Sequence, residues 1–396
     1  MTSHLVFAPS SANLFSGQCV DHSVRPAEID NRPGTARGNP PRGFPQRLKS
    51  ELCWKPSDFK DHTEKYIVHL NEEDLKAVME AVAAFKSRGL QLPFLEPSTF
   101  PLPESLTRRL RQVSKIVHSG IGFAVLRGLN PAKHSEIDSV IAYCGIASHI
   151  GAQRSTNSKG NAMDHIRNAS RDVKPEGLPV DQELAPSKLP DGMKFHADRM
   201  YADVISLLVK SQAAVGGEQY ISSSWTLYNE LLEQAPEDLQ VLAEDWQWAL
   251  PDQLAPEAPN KMPALLHADG RVMLQLVWQP FVKNPELATP RQLRALGTVQ
   301  RLAEQNAIRL DQRPGDIQLI NNLAVLHTRA KFEDSPDQKR HLLRLGLRDP
   351  AEAWRLPERY AALFEDAFAT PVDAQNIPVT DFDAWDKTTT EDANHG

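Results

Sequence analysis

Phe195-His196-Ala197-Asp198 is the stretch on which the interpretation of this chain depends. In an extended strand, side chains two residues apart point to the same face, so His196 and Asp198 would present an imidazole beside a carboxylate. His327, far downstream at the end of an apolar run, is the candidate third member. Two histidines and one carboxylate with open coordination positions suit non-haem Fe(II) used in oxygen chemistry.

A second triplet with the same spacing, His267-Ala268-Asp269, tests how specific this pattern is. Gly270 follows it directly, and apolar runs lie on both sides, at 264–266 and 272–277. Asp-Gly between apolar runs is typical of a hairpin turn. We therefore interpret Asp269 as a turn residue and predict the metal site at His196 and Asp198.

The stretch 340–347, Arg-His-Leu-Leu-Arg-Leu-Gly-Leu, carries the second informative pattern. In a strand, Arg340 and Arg344 share a face with Leu342 and Gly346, and the opposite face is apolar. Buried cations must be paired, and a guanidinium fork suits a carboxylate. No nearby sequence supplies an obvious fixed acid, so a dicarboxylate ligand would satisfy both arginines. Salt bridges at the rim of the sheet are the more ordinary explanation of two arginines in one strand. A structural role is likewise the more ordinary explanation of a single histidine such as His327.

Composition limits the classes of partner. The chain has 396 residues and a formal net charge of −7, with no basic stripe of the kind that binds nucleic acid. Its apolar runs are strand-sized, which argues against a membrane partner. We expect a small-molecule substrate, and a homo-oligomer is compatible with the sequence.

Cysteine usage and the N-terminus bear on the compartment. Cys19, Cys53 and Cys144 are an odd number without C-x-x-C pairing, which favours a reducing environment. The first residues lack the basic and apolar regions of a secretory signal. We expect a cytoplasmic protein, and a mitochondrial presequence stays open because no acid precedes Asp21.

Patterning divides the chain into three parts. Residues 1–56 are rich in Pro and Gly and predict a flexible arm, 57–357 carry the enzyme domain, and 358–396 form an acidic, partly disordered tail. Within the domain, the polar, irregular sequence from 147 to 194 predicts loops over the site. Three polar residues there are candidates for holding a substrate: Arg154, Asn161 and His165.

The joint order of these motifs resembles the taurine/2,4-D dioxygenase-like (TauD/TfdA) family of Fe(II)- and 2-oxoglutarate-dependent oxygenases, especially its divergent fungal members. The resemblance covers roughly residues 65 to 357. Further matching stretches are 122–128 (GFAVLRG), 216–218 (GGE), 228–231 (YNEL) and 322–334.

The resemblance implies roles for individual residues. His196, Asp198 and His327 would be the iron ligands. Arg344 would bind the distal carboxylate of 2-oxoglutarate, and Arg340 would lie near its C1 carboxylate.

Two positions depart from the family pattern. Members commonly place Thr or Ser after the Gly-Gly-acid turn, to assist the distal carboxylate, whereas this chain has Gln219, whose amide can donate the same hydrogen bond. Gly346 stands where fungal relatives tend to carry a bulky aromatic, so this position would either enlarge the pocket or reflect local packing.

The implied fold is mainly β with flanking helices (α+β), built on a double-stranded β-helix, a cupin-like jelly roll. The implied enzyme is a dioxygenase that uses Fe(II), 2-oxoglutarate and O2. It would oxidise an unactivated C–H bond of a small amino acid or carboxylic acid, by hydroxylation, desaturation or oxidative cyclisation, with release of succinate and CO2, in specialised metabolism.

Two other classes compete with this interpretation. A zinc-type metal hydrolase would use the same three ligands and an activated water, but it would not need Arg340 and Arg344 on the inner face. A catalytically inactive cupin-like binding protein should have lost a ligand or an arginine, and the sequence retains them all.

Overall fold

A computed structural model of the chain describes residues 38–180, 182–248, 261–381 and 384–385. Its helices are α1 (Glu72–Ser87), α2 (Glu104–Ser119), α3 (Glu136–Ser148), α4 (Ser224–Gln234), α5 (Pro236–Leu242), α6 (Gln279–Lys283), α7 (Pro290–Gln305) and α8 (Glu358–Asp366). None of the helices in these ranges combines the length and the apolar composition that a bilayer crossing needs.

The strands are short and follow one another along the whole described chain. They are β1 (Ile67–His69), β2 (Phe123–Arg127), β3 (Gln153–Arg154), β4 (Met163–Arg167), β5 (Val204–Ser211), β6 (Val215–Gly216), β7 (Gln219–Ser223), β8 (Asp245–Gln247), β9 (Lys261–Pro263), β10 (Leu265–Ala268), β11 (Arg271–Leu274), β12 (Ile308–Arg309), β13 (Ile317–Asn321), β14 (Val325–Arg329), β15 (Phe332–Glu333) and β16 (His341–Arg348).

The larger sheet has the order β1-β2-β13-β5-β16-β3, and β4 also pairs with β16. Only the β1–β2 pair is parallel among its described pairings. Leu343, Leu345 and Leu347 of β16 pack against the buried faces of α1, α2 and α3. The period-two alternation predicted for this strand is therefore confirmed, and the face that carries Arg340 and Arg344 is turned away from the helices.

A smaller sheet, β12-β7-β14, lies opposite the larger one. Buried apolar residues of both sheets form one cluster, to which β5 contributes Ile205 and Leu207, β7 contributes Ile221, and β14 contributes Val325. Two facing antiparallel sheets with helices outside make the chain mainly β with flanking helices, a cupin-like jelly-roll core, as the sequence predicted.

Helices α4, α5 and α7 cover the other side of the smaller sheet, around Trp225 and Leu296. Helix α7 begins at Pro290, the position predicted for it, because proline at the first turn loses no helical hydrogen bond. The side chain of Thr289 accepts a hydrogen bond from the backbone of Gln292 and completes a capping box. This helix holds β7 against the core.

The described residues of the predicted N-terminal arm and of the predicted partly disordered tail pack against the domain. From residue 38 onward the chain packs on α4: Leu48 and Leu52 are buried, and the hydroxyl of Tyr228 donates to the carbonyl of Pro45 at 2.5 Å. Near the other end, α8 buries Phe364. Isolated apolar residues without periodicity give no sequence signal for such packing. Residues 1–37 and 386–396 of the two predicted segments lie outside the described residues.

Candidate metal centre

His196 and His327 are joined through their backbones. Each residue's amide donates to the other's carbonyl, at 3.0 Å from His196 and 2.9 Å from His327, in an isolated antiparallel bridge. The two imidazole rings consequently lie side by side, with centroids 4.2 Å apart. The segment before β5 is thus fastened to β14 at the point where both histidines face the barrel interior.

Asp198 is placed by the buried amide of Asn322. The side-chain oxygen of Asn322 accepts from the amide of Asp198 at 2.9 Å, while its nitrogen donates to the carbonyls of Asp198 at 2.6 Å and Ala202 at 2.8 Å. Three bonds from one side chain fix the turn that follows Asp198. Asn322 lies in a stretch that matches the family, but no role was predicted for it; an asparagine next to an apolar run is a signal for a buried hydrogen-bonding role of this kind.

The three side chains converge. Oδ1 of Asp198 lies 3.7 Å from Nε2 of His196 and 3.8 Å from Nε2 of His327. One ligand atom from each residue lies within 4.8 Å of the others, and no other three metal-ligating side chains among the described residues meet this condition. The structure therefore brings together the predicted His196, Asp198 and His327.

Burial favours the neutral form of both histidines, and a backbone carbonyl orients the ring of His196. Nδ1 of His196 lies 2.7 Å from the carbonyl of Lys194, which acts as acceptor, so the proton lies on Nδ1 and the lone pair of Nε2 faces Asp198. Burial lowers the pKa of His196, and it lowers the pKa of His327 to about 3. Neutral imidazole nitrogens and one carboxylate oxygen are a donor set that fits Fe(II).

The expectation that no fixed acid meets Arg344 is wrong. Its Nη1 donates to Oδ2 of Asp198 at 2.7 Å, and its Nη2 donates to Oδ2 of Asp164 at 2.8 Å. Burial opposes the charge of Arg344, but these two carboxylates outweigh it and hold the pKa of the guanidinium well above its usual value. Asp164 lies opposite Arg344 in the β4–β16 register, a pairing that sequence alone does not reveal.

Arg340, unlike Arg344, forms no ion pair among the described residues. It is 2% exposed, and its Nε and Nη1 have no hydrogen-bond partner among the described residues. Burial, with the charge of nearby Arg329, lowers the pKa of Arg340 well below its usual value. Asp334 lies nearby, but its carboxylate accepts from the backbone amide of Arg340 and forms no ion pair with the guanidinium. A buried guanidinium without an ion pair is a cation prepared for an anionic ligand.

One pocket connects these groups. Gln219, 7% exposed, lies on its wall, and the side-chain oxygen of Gln219 has no partner among the described residues. The pocket is lined by the two histidines, three arginines and mostly apolar neighbours: Ile166, Ser187, Met193, His196, Ile205, Leu207, Gln219, Tyr220, Ile221, Ile320, His327, Thr328, Arg329, Arg340 and Arg344.

The three residues predicted to hold the substrate do not line this pocket. Arg154 donates to backbone carbonyls of the segment 93–95. Asn161 and His165 form hydrogen bonds with the segment 376–378, which they hold against the domain. All three side chains therefore have structural partners where the structure places them.

Two further positions follow from the packing. A Cβ at Gly346 would lie 2.7 Å from Cβ of Ala202 and 2.9 Å from Cε1 of Tyr201, so the aromatic ring of Tyr201 fills this space and the glycine does not enlarge the pocket. Asp269 and Gly270 have φ of 45° and 74° and join β10 to β11, which confirms the hairpin predicted there.

Comparison with known protein families gives a match over most of the domain. The sequence profile described as "Taurine catabolism dioxygenase TauD, TfdA family" matches residues 86–345. The taurine hydroxylase-like protein SAT17 of Stachybotrys chartarum is 35% identical over 325 residues, which is 78% of this chain and 82% of the relative. FR-33289 synthase of Streptomyces rubellomurinus is 26% identical, over 74% of this chain and 87% of its own.

Solved structures share the fold at low sequence identity. An asparagine oxygenase in complex with Fe(II), 2S,3S-3-hydroxyasparagine and succinate superposes with a TM-score of 0.55 at 17% identity, covering 74% of this chain and 99% of its own. The non-haem iron oxygenase OrfP, in complex with Fe, succinate and (3S)-hydroxy-L-Arg, gives 0.51 at 15% identity, covering 71% and 94%.

Proposed function

We propose the function of this chain from one premise: it belongs to the taurine catabolism dioxygenase TauD, TfdA family, whose enzymes use Fe(II), 2-oxoglutarate and O2. The chain is accordingly an Fe(II)/2-oxoglutarate-dependent dioxygenase. We infer that it oxidises an unactivated C–H bond of a small amino acid or related carboxylic acid in specialised metabolism. The observation that carries this inference is a cluster of two histidines and one carboxylate beside a buried guanidinium that forms no ion pair among the described residues.

In this proposal His196, Asp198 and His327 hold the iron on one side and leave the pocket side open for small molecules. Bound there, iron would activate O2, which takes two electrons from 2-oxoglutarate as succinate and CO2 form and two from the C–H bond of the substrate. The protein positions the reactants and keeps water out. The apolar wall around Ile205 and Ile221 is suited to the second task.

The distal-carboxylate role that the family resemblance implied for Arg344 suits Arg340 better. Arg344 already forms ion pairs with two carboxylates, whereas Arg340 forms none among the described residues and lines the pocket with Gln219. We therefore assign the distal carboxylate of 2-oxoglutarate to Arg340, assisted by the amide of Gln219. Arg344 instead holds Oδ2 of Asp198, which leaves Oδ1 directed to the histidines.

The substrate class rests on the pocket and on the neighbours. The two solved structures were determined with hydroxylated amino acids, and the name of one relative describes a synthase. Ser187, Met193 and Thr328 line the pocket and offer small polar and flexible apolar contacts. A small acid or amino acid with one hydrogen-bonding end and an aliphatic end would match such a wall.

The test is succinate release from the Fe(II)-loaded enzyme in the presence of 2-oxoglutarate, O2 and one candidate at a time from a panel of amino acids and small carboxylic acids. We expect at least one of them to raise succinate formation above the substrate-free rate and to gain oxygen or lose hydrogen by mass. An Asp198→Ala variant provides the background. Turnover only with a large, neutral, carboxylate-free compound would contradict the proposed substrate class.

The competing classes receive no separate support. A metal hydrolase would leave the buried cation Arg340 without a task, and an inactive binder would not need the three ligands that the structure brings together.

A further inference from the structure

We propose that Arg329 is a second cationic partner of the distal carboxylate of the 2-oxo acid, beside Arg340. This inference rests on the proposed function and concerns a residue that sequence analysis did not single out. It makes the site selective for a cosubstrate with two carboxylates.

The position of Arg329 follows from the strand that carries a metal ligand. Arg329 lies two residues after His327 in β14, so both side chains point to the same face. In the β14–β7 register, Arg329 lies directly opposite Gln219, which brings their side chains together. Both residues line the pocket that contains the metal cluster and Arg340.

Arg329 forms no ion pair within the described part of the chain, although the charge of nearby Asp191 favours its cationic form. The side chain is 4% exposed, and only Nη2 is engaged, with the carbonyls of Leu189 at 3.0 Å and of Asp191. Nε and Nη1 have no partner among the described residues. A guanidinium that is buried with two unpartnered nitrogens requires an anion.

Arg329 and Arg340 both form cation–π contacts with the ring of Phe332. Their guanidinium carbons lie 5.0 Å and 5.3 Å from the ring centroid of Phe332. Burial lowers the pKa of Arg340, and the like charge of Arg329 beside the same ring lowers it further. A carboxylate that accepts from both would remove this repulsion and satisfy nitrogens that have no other partner among the described residues.

The hydrogen bonds from Nη2 of Arg329 connect the carboxylate site to a neighbouring segment of the pocket wall. Leu189 and Asp191 belong to the segment 186–193, which contributes Ser187 and Met193 to the pocket wall. Because Arg329 holds that segment with one nitrogen and would hold the carboxylate with the others, the bound dicarboxylate should also steady the pocket wall.

The test compares two 2-oxo acids of equal chain length, 2-oxoglutarate and 2-oxopentanoate, which lacks the distal carboxylate. Dissociation constants are measured with the anaerobic Fe(II)-loaded protein for wild type, Arg329→Gln, Arg329→Lys and the control Lys331→Gln, which removes an exposed cation from the same region. We expect Arg329→Gln to weaken 2-oxoglutarate about tenfold or more. The binding of 2-oxopentanoate should stay unchanged, Arg329→Lys should recover part of the loss, and Lys331→Gln should behave as wild type.

A second measurement needs no variant. Amide hydrogen exchange in the segment 186–193 should slow when 2-oxoglutarate binds the wild-type protein and should slow less with 2-oxopentanoate. Equal weakening of both acids by Arg329→Gln, or no weakening of 2-oxoglutarate, would overturn the role of Arg329. A wild-type protein that binds neither acid would instead overturn the proposed function.

Discussion

Nη1 of Arg344 donates to Oδ2 of Asp198 at 2.7 Å, so one carboxylate serves two tasks. Its other oxygen, Oδ1, lies between the Nε2 atoms of His196 and His327. Because Arg344 is held in turn by Asp164, the carboxylate of Asp198 cannot rotate without breaking a buried ion pair. Asp198 is therefore preorganised to offer a single oxygen to a metal ion.

Removing Asp198 should abolish metal binding, because the site loses its only carboxylate among the three clustered residues. Asp198→Ala should also lower the free energy of unfolding by about 3 kcal/mol, since it leaves part of a buried charge pair uncompensated. Asp198→Glu should fail as well, because the longer side chain displaces the ligating oxygen. Titration with Fe(II) under anaerobic conditions measures the first effect and urea denaturation the second.

The control is His267→Ala in the other His-x-Asp triplet, which joins β10 to β11 away from the metal cluster. It should leave metal affinity nearly unchanged. Loss of the metal from this variant, with retention in Asp198→Ala, would show that the wrong triplet was assigned.

Replacing the two neighbouring arginines should change stability in opposite directions. In the ligand-free protein, Arg340→Met removes a buried cation that forms no ion pair among the described residues and should raise the free energy of unfolding by about 1–3 kcal/mol. Arg344→Met removes a partner of two buried carboxylates and should lower it by about 3–5 kcal/mol. Denaturation with and without 2-oxoglutarate distinguishes them, since only Arg340→Met should lose most of the stabilisation by the ligand. Destabilisation of the ligand-free protein by Arg340→Met would contradict this picture.

Asn322→Ala should weaken metal binding although Asn322 is not a ligand. The substitution removes three hydrogen bonds that fix the backbone around Asp198, so the carboxylate would lose its position. Asn321→Ala is the matched control, because Asn321 is also buried but bonds instead to the carbonyl of Val117 at 3.1 Å. Both variants should lose about 1–3 kcal/mol of stability. A metal dissociation constant that rises equally in both would argue against a positioning role.

The contact between buried His165 and partly buried His341 should make stability fall in acid. Nδ1 of His165 lies 2.8 Å from Nε2 of His341, and burial lowers the pKa of His341 to about 2. In the unfolded chain a histidine takes up a proton near pH 6.5, so between these values the unfolded state binds more protons. The free energy of unfolding from this group is therefore fully present above about pH 6.5 and decreases below it, by up to about 1.4 kcal/mol per pH unit.

His341→Gln keeps a donor toward His165 and removes the titrating group. We expect the pH slope of stability between about pH 5 and pH 6.5 to fall by close to one proton. The matched control is the same change at His62, whose side chain is half exposed. An unchanged slope in His341→Gln would show that His341 is not the partly buried neutral group described.

Patterns of spacing predicted the parts of this molecule that depend on local geometry. Period-two alternation placed the leucines of β16 on the helix side, and Asp269-Gly270 marked a hairpin. The ion pair between Arg344 and Asp164 could not be predicted, because it depends on the register in which β4 pairs with β16. The packing of the segment from residue 38 could not be predicted, because its apolar residues do not repeat at a regular spacing. The structural role of Arg154 could not be predicted either, because its hydrogen bonds go to backbone carbonyls, which leave no sequence signal.

The backbone bridge between His196 and His327 bears on how the protein acquires its metal. Each histidine's amide is satisfied by the other's carbonyl, and the two residues come from distant parts of the chain. Neither segment alone carries the complete donor set, and long-range strand contacts of this kind close late in folding. The metal ion is therefore not expected to nucleate this barrel, as zinc does in small metal-dependent domains; it should enter an almost finished protein.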